Sequence, residues 1–173
     1  MKRWSILRLA AIALVSMSLA GCFRTAVPLI VPGEADFPFE TLTYVEANGG
    51  EEVTLIRAGD EYRPANEDIA DRVMFKALGT NLFLVQLLSM ETGEPAYLYG
   101  LIKLSPDMKG FVMAASVAAK DDLAAVRDGY AGLVLCEEDP DTVCIEDLDS
   151  YKGYALQDAV MSKATAYRIL SMK

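Results

Sequence analysis

The sequence predicts a mainly β or α+β domain, in which an antiparallel meander curls into a sandwich or an open barrel, with two helices in its C-terminal third. Short runs rich in β-branched and aromatic residues recur from about residue 39. Tight-turn residues separate these runs, and strands joined by tight turns pair with their antiparallel neighbours. Helical spacing of apolar residues begins after residue 120.

The strands of the predicted meander are placed by the turn signals between them. Asn48-Gly49-Gly50 is a hairpin-type turn, and Gly79-Thr80-Asn81 separates two further runs. The predicted strands are 40–47, 52–57 with a continuation through Tyr62, 72–78, 82–90, 96–104 and 109–116, then 131–136, 143–145 and 165–171.

The run 82–88 is apolar on both faces, apart from Gln86. A strand that is half exposed alternates apolar and polar residues, so this one is expected to be covered on both sides, in a sandwich centre or beneath a helix. Gln86 is then expected to be a buried amide whose hydrogen bonds are satisfied, or a polar group at the edge of the sheet. It is also a candidate binding residue, although the internal role is favoured.

Two helices are predicted in the last third. Asp121 and Asp122 precede an apolar stretch, which indicates a short capped helix over 120–129. Asp149 and Ser150 supply caps for a second helix that runs to about Lys163. Its apolar residues have amphipathic spacing: Leu156, Ala159 and Val160.

Residues 1–21 have the organisation of a secretory leader: Lys2 and Arg3 at the start, a short apolar stretch, and small residues at the end. The leader ends in Leu19-Ala20-Gly21-Cys22, which resembles the lipobox of bacterial lipoproteins. That resemblance covers residues 1–22 and implies cleavage before Cys22 and a diacylglycerol on its thiol. A plain secretory signal followed by a chance cysteine is the alternative.

A lipid on Cys22 implies a cell-envelope protein anchored in a membrane, since two or more acyl chains hold a protein stably. Phe23 follows the cysteine, where Asp would resemble an inner-membrane retention signal, so an outer membrane is expected, with the domain facing the periplasm. Residues 22–38 contain three prolines and are predicted to be a tether, and 39–173 a single globular domain. Apolar residues such as Ile30 leave open that part of the tether docks on the domain.

The charge of the chain bears on its partners. The chain carries −9, and loss of the leader with Lys2, Arg3 and Arg8 removes three positive charges, so the mature form carries −12. Phosphate backbones repel such a protein, which disfavours nucleic acid as a partner.

The remaining cysteines, Cys136 and Cys144, form an even pair in an exported chain. Oxidising compartments favour disulfides, so one bridge is expected between them. Redox or metal chemistry is the weaker interpretation, because seven residues separate the pair and the chain contains no histidine.

The absence of histidine excludes Ser-His-Asp and Cys-His catalysis, and no cofactor-binding or zinc motif is present. Carboxylates crowd residues 137–141, where a solvated acidic hairpin tip is favoured over a calcium loop. Tyr97 and Tyr99 share one strand face and are candidates for a binding platform, although half-buried strand tyrosines are commoner.

These observations favour a non-enzymatic envelope lipoprotein that acts by protein contact, in envelope assembly, maintenance or inhibition. The alternative is a carrier of a small molecule or lipid that uses the cavity of a curled sheet. A hydrolase with paired carboxylates is the weakest hypothesis. The sequence leaves the oligomeric state and the particular envelope partner open.

Overall fold

The computed structural model describes residues 23–36, 38–65, 71–89, 95–114, 123, 126, 128–137 and 139–173. The leader and Cys22 lie outside this part of the chain. Most of the helix predicted at 120–129 does so as well, although Leu123, Val126, Asp128 and Gly129 are helical.

Apart from those four helical residues, the described chain contains eleven strands and two helices. The strands are β1 (Phe23–Thr25), β2 (Thr41–Glu46), β3 (Val53–Ala58), β4 (Glu61–Pro64), β5 (Arg72–Gly79), β6 (Leu82–Ser89), β7 (Ala96–Leu104), β8 (Gly110–Ala114), β9 (Leu133–Cys136), β10 (Asp139–Ile145) and β11 (Thr165–Met172). The helices are α1 (Leu148–Ala155) and α2 (Asp158–Met161).

Eight of the strands form a closed antiparallel barrel. Strands β2 to β8 follow one another as a meander, and β11 completes the ring between β8 and β2. Pairing of β6 with β7 along the whole of β6, from Leu82 with Lys103 to Ser89 with Ala96, joins the two halves. The predicted fold class is therefore confirmed, and the curled sheet is a closed barrel.

Strand β7 belongs to two sheets at once, because its two halves have different partners on one side. Leu101 to Leu104 pair with β8, which continues the barrel. Tyr97 and Leu98 pair instead with β1, from which β10 and β9 extend outward. Strands β1, β9 and β10, together with α1, form what we call the cover layer.

Side-chain alternation divides the buried residues into two cores. On β6 and β7, Val85 and Ile102 point into the barrel, whereas Leu84 and Leu101 point outward under the cover layer. The barrel core contains side chains from all eight strands and from the segments next to them. This arrangement confirms that the apolar run of β6 is covered on both faces, since one face meets the barrel interior and the other meets the cover layer.

The second predicted helix differs from the observed one in its start and its continuity. Helix α1 begins at Leu148 because Asp147, rather than Asp149, is its N-cap and accepts a hydrogen bond from the Ser150 backbone amide at 2.6 Å. The backbone turns extended at Gln157, so a separate helix, α2, follows. The amphipathic face predicted through Leu156 is wrong, since Leu156 is 38% exposed and Tyr151 and Tyr154 are buried instead.

The segment predicted as a tether needs a correction over its described part. Phe23–Thr25 is a strand, and Phe23 and Ile30 are fully buried in the core beneath the cover layer. We call the described residues between Phe23 and Glu40 the strap. Its prolines exclude a long strand, but they do not prevent short stretches from packing, and the apolar side chains supply the driving force.

Candidate functional site

A buried polar cluster lies on the outer face of β6 and β7, under the strap. Gln86 is 2% exposed, and its amide makes both backbone hydrogen bonds of Ile30: Oε1 accepts from the Ile30 N–H at 2.9 Å and Nε2 donates to the Ile30 carbonyl at 3.0 Å. At Ile30 the strap is not paired with a strand, so the Gln86 side chain makes the backbone hydrogen bonds that a neighbouring strand would make in a sheet. The interpretation of Gln86 as a satisfied buried amide is therefore confirmed.

Tyr99 completes this cluster. Its hydroxyl donates to Gln86 Oε1, accepts from the Leu29 backbone N–H, and contacts Thr25 Oγ1, each at 2.9 Å. Burial raises the pKa of Tyr99, although the hydrogen bonds from Thr25 and Leu29 act in the opposite direction. At pH 7 Tyr99 is thus a neutral phenol that holds the strap.

The three candidate binding residues are close together, as Tyr97 and Tyr99 share a face of β7 and Gln86 is the register partner of Tyr99. The face is occupied by the protein itself. Tyr99 is 2% exposed beneath the strap, and Tyr97 is half-buried against the same core. The structure therefore gives Gln86 and Tyr99 an internal partner, the strap backbone, and Tyr97 packs against the core beside them.

The strap continues along β5 beyond this cluster. The Asp36 N–H donates to the Phe75 carbonyl at 2.7 Å, and its carboxylate accepts from the Ala77 N–H at 2.6 Å. Lys76 and Glu34 form an ion pair at 3.0 Å. Strand β4 pairs with β5 at Tyr62 and Val73. Phe75 and Ala77 lie farther along β5, so Asp36 bonds β5 beyond its pairing with β4.

The barrel interior is occupied by two groups of aromatic rings. Phe39, Tyr62 and Phe75 have ring centroids 4.6–5.4 Å apart. The second group is Tyr44, Phe111 and Tyr167, with centroids 4.8–5.6 Å apart. These separations are those of rings in contact. An eight-stranded barrel is narrow enough for side chains to fill, and here large ones do so.

The interior tyrosines are neutral at physiological pH for a physical reason. Burial is the largest cause that raises the pKa of Tyr44, Tyr62 and Tyr167. The Tyr62 hydroxyl donates to the Phe39 carbonyl, and this bond fixes the end of the strap at the barrel wall. No buried side-chain nitrogen or oxygen in the described chain lacks a hydrogen-bond partner.

The predicted disulfide is present: Cys136 and Cys144 are bonded, with Cα atoms 5.1 Å apart. It joins β9 to β10 in the cover layer. The carboxylate side chains between residues 138 and 141 lie outside the described ones. Among the side chains that are described, no group of three or more Cys, Asp or Glu is arranged to hold a metal ion.

The outer wall of the barrel formed by β3, β2 and β11 lies opposite the cover layer. In the ring of eight strands, β2 lies four strands from β6 in either direction. The outward residues of β2 and its neighbours β3 and β11 are mostly uncharged. They include Thr41, Thr43 and Thr54, and the exposed apolar residues Ile56 and Leu170, which are 45% and 42% exposed.

The comparisons with known proteins give this chain no relative. No family model matches the sequence, and no curated protein and no solved structure matches the chain. The class of protein is given by the fold alone: an eight-stranded antiparallel barrel with a strap and a disulfide-bonded cover layer.

None of the helices in the described ranges has the length and apolar character needed to cross a membrane.

Sequence reasoning missed β1 and the role of the strap. The signal that could have found β1 is Phe23-Arg24-Thr25, a β-prone triplet next to the lipobox. Strand β1 pairs in parallel with β10, and Phe23 is 120 residues from its register partner Val143 along the chain. Such a contact carries no local turn signal, so the sequence pattern alone does not indicate it.

Proposed function

We propose that this protein is an envelope lipoprotein, anchored in a membrane by a lipid on Cys22, that acts without catalysis by contact with another envelope protein. The observation that carries the proposal is the packed barrel interior. Because aromatic rings fill the space that a carrier would need, the outer surface is the part of the barrel left to act on another molecule.

The carrier alternative is disfavoured by the same packing. A ligand of even modest size would have to displace rings that contact one another, such as Phe111 and Tyr167 at 4.8 Å. Cores are close-packed, and opening one costs the contacts that it loses. The lipobox Leu19-Ala20-Gly21-Cys22 supports the anchor.

The outer wall of β3, β2 and β11 is the surface we propose for the contact. It has two exposed apolar residues, Ile56 and Leu170, among threonines, and it lies on the side of the barrel away from the cover layer. Apolar residues in a polar rim are typical of protein contact surfaces. The acidic mature charge favours a partner with a basic or neutral surface.

Labelling tests the anchor first. Cells that produce the full chain should incorporate radiolabelled palmitate into it, and Cys22→Ala should abolish the label and leave unprocessed or soluble protein. Labelled, normally processed Cys22→Ala protein in the membrane fraction would contradict the lipobox.

Site-directed photocrosslinking tests the contact. A photoreactive residue in place of Ile56 or Leu170 should give a discrete crosslinked band in intact envelopes. The matched control is Val27, an apolar residue of the strap that is 66% exposed, where the band should be absent. Equal crosslinking at all three sites, or none at Ile56 and Leu170, would contradict the proposed surface.

A further inference from the structure

Two exposed cations on the outside of the barrel are not matched by an acid within the described chain. Ion pairs with a glutamate occupy the cations of β3, β4 and β5: Arg57, Arg63, Arg72 and Lys76. Lys103 of β7 and Arg168 of β11 form no ion pair with any described residue. Carboxylates outnumber lysines and arginines by 25 to 16 in this chain, so a shortage of acids does not explain the difference.

The register of the sheet explains why Arg168 has no partner. Opposite charges in a sheet neutralise each other across neighbouring strands. Arg168 lies between Val45 of β2 and Gly110 of β8, and neither of these residues is charged. The residues before and after Arg168 on β11 pack in the barrel core, so the guanidinium is directed outward, into solvent.

Lys103 belongs to a row of outward residues that crosses four strands. The row runs from Leu82 to Lys103 and on to Val112 and Ala166 through successive register pairs. Lys103 and Ala166 are exposed, and the other two are half-buried. The neighbouring row on the same face is buried: Leu84, Leu101 and Ala114. Solvent therefore reaches the outer face of these strands at the row of Lys103.

Arg168 and Leu170 continue this exposed region along β11. Residues two apart on a strand are separated by about 6.6 Å, so Arg168 lies about that distance from Ala166. Leu170 is 42% exposed and belongs to the contact surface proposed above. We call the following six residues the cationic strip: Leu82, Lys103, Val112, Ala166, Arg168 and Leu170.

The acids at the nearby end of β2 and the start of β3 do not neutralise Arg168. Burial raises the pKa of Tyr167 inside the barrel, and the charge of Glu46 adds to this effect. The Glu46 carboxylate therefore acts on the interior side of β2, away from Arg168. Glu52 precedes β3 and forms no ion pair with a described residue. The strip is thus positively charged in an acidic protein.

We propose that the cationic strip extends the contact surface and binds a segment of the partner protein that carries carboxylates beside an apolar side chain. The inference rests on the proposed function, because it names the chemistry of the partner at the same contact. A guanidinium takes a carboxylate with two parallel hydrogen bonds, and arginine is enriched among the residues that contribute most to protein contacts. Val112 and Leu170 supply apolar area beside the two charges.

A protein carboxylate fits the strip better than a membrane phosphate does. The mature chain carries −12, so an anionic bilayer repels it as a whole. A short acidic segment acts only locally, because the Debye length is about 8 Å at physiological ionic strength. The partner is then neutral or basic overall, as the net charge favours, and presents its acids to Lys103 and Arg168.

Carbodiimide crosslinking of intact envelopes tests this chemistry, because it joins a lysine amine to a carboxylate in contact with it, with loss of water. The chain offers the Lys103 amine, and Arg168→Lys places a second amine on the strip. We expect mass spectrometry to find an amide between one of these amines and an Asp or Glu side chain of another protein. Lys103→Arg keeps the charge and should remove the amide at that position.

Photocrosslinking from Leu170 measures what the charge contributes. Arg168→Glu should lower the yield of the crosslinked band severalfold, since it places a like charge opposite the partner's carboxylates. Lys152→Glu, on α1 of the cover layer, makes the same change in net charge and should leave the yield unchanged. Circular dichroism checks that each variant folds, and Arg168→Gln replaces Arg168→Glu if the latter does not.

An unchanged band in Arg168→Glu would overturn the inference. Amides only to carboxylates of this same chain, or adducts only to phospholipid phosphates, would also overturn it. Absence of any band from Leu170 in the parent protein would overturn the contact surface, and this inference with it. A band from Leu170 without amides to another protein would overturn the charge chemistry alone.

Discussion

The barrel core and the core beneath the cover layer are built from similar apolar residues but are closed in different ways. Around the barrel, strand ladders make the backbone hydrogen bonds, and the interior contributes aromatic rings. Beneath the cover layer, an irregular strap passes over β6 and β7, and Gln86 and Tyr99 bond its backbone groups. A regular sheet needs only apolar side chains inside, whereas an irregular segment also needs buried polar partners.

Both cores contain buried tyrosines, so alkaline pH should have the largest effect and should test whether they unfold together. Burial raises the pKa of Tyr44, Tyr62 and Tyr167 inside the barrel, and of Tyr99 and Tyr151 beneath the cover layer. The folded state thus keeps protons that the unfolded chain loses near pH 10. Stability is full below that pH and falls as the pH rises above it.

Tyrosinate absorbance and far-ultraviolet circular dichroism, followed together in an alkaline titration, should change in one transition for these buried tyrosines. Tyr44→Phe removes one ionisable group from the barrel core and should move the transition to higher pH. Ionisation of all the tyrosines while the circular dichroism stays constant would contradict the role of burial.

Phe75→Ala should cost the barrel core about 3–5 kcal/mol of unfolding free energy, through the lost ring and the cavity that it leaves. Phe75 is 3% exposed and contacts the rings of Phe39 and Tyr62. Leu170→Ala is the matched control at a site that is 42% exposed, with an expected change within about 0.5 kcal/mol. Urea unfolding of the two variants measures the difference, and similar losses would contradict a packed interior.

Removal of the disulfide should affect the cover layer more than the barrel. Cys136→Ser with Cys144→Ser should lower the unfolding free energy by about 2.5 kcal/mol, the chain-entropy estimate for so short a loop. The variant should fold, because the hydrophobic cores remain, and it should melt at a lower temperature. The parent protein should first be verified as disulfide-bonded. If it and the double variant then melt at the same temperature, the bridge does not contribute to the stability of the fold.

Gln86→Leu should have the smallest global effect and the most local one. It leaves the Ile30 N–H and carbonyl without their partner, at about 1–3 kcal/mol per buried group. The strap can instead open locally and let water bond both groups, so the loss of global stability is limited to the free energy of that local opening. Native-state hydrogen exchange should show faster exchange at Ile30 and unchanged exchange in β2 and β3. Thr43→Val is the control, since it removes a hydroxyl contact of 3.0 Å to Thr54 that is only partly buried. Faster exchange throughout the barrel would mean that the strap and the barrel are one cooperative unit.

The sequence by itself determined the strands of the meander, the residues that alternate within them, and the pairing of Cys136 with Cys144. Turn residues such as Asn48-Gly49 fix hairpins locally. With Cys22 predicted to carry the lipid, the two remaining cysteines have a single possible bridge. The double-sided burial of β6 was also predictable, because an apolar residue on each face needs a cover on each face.

The tertiary structure alone decided how the ends of the chain are used. Closure of the barrel depends on β11 reaching β2 and on β6 pairing with β7, and the sequence left a sandwich equally open. The strap depends on Gln86 and Tyr99 meeting the backbone of Ile30, which is 56 residues from Gln86 along the chain. Backbone groups are the same in every residue, so a side chain that binds them leaves no mark on the partner's sequence, and only the fold brings the two together.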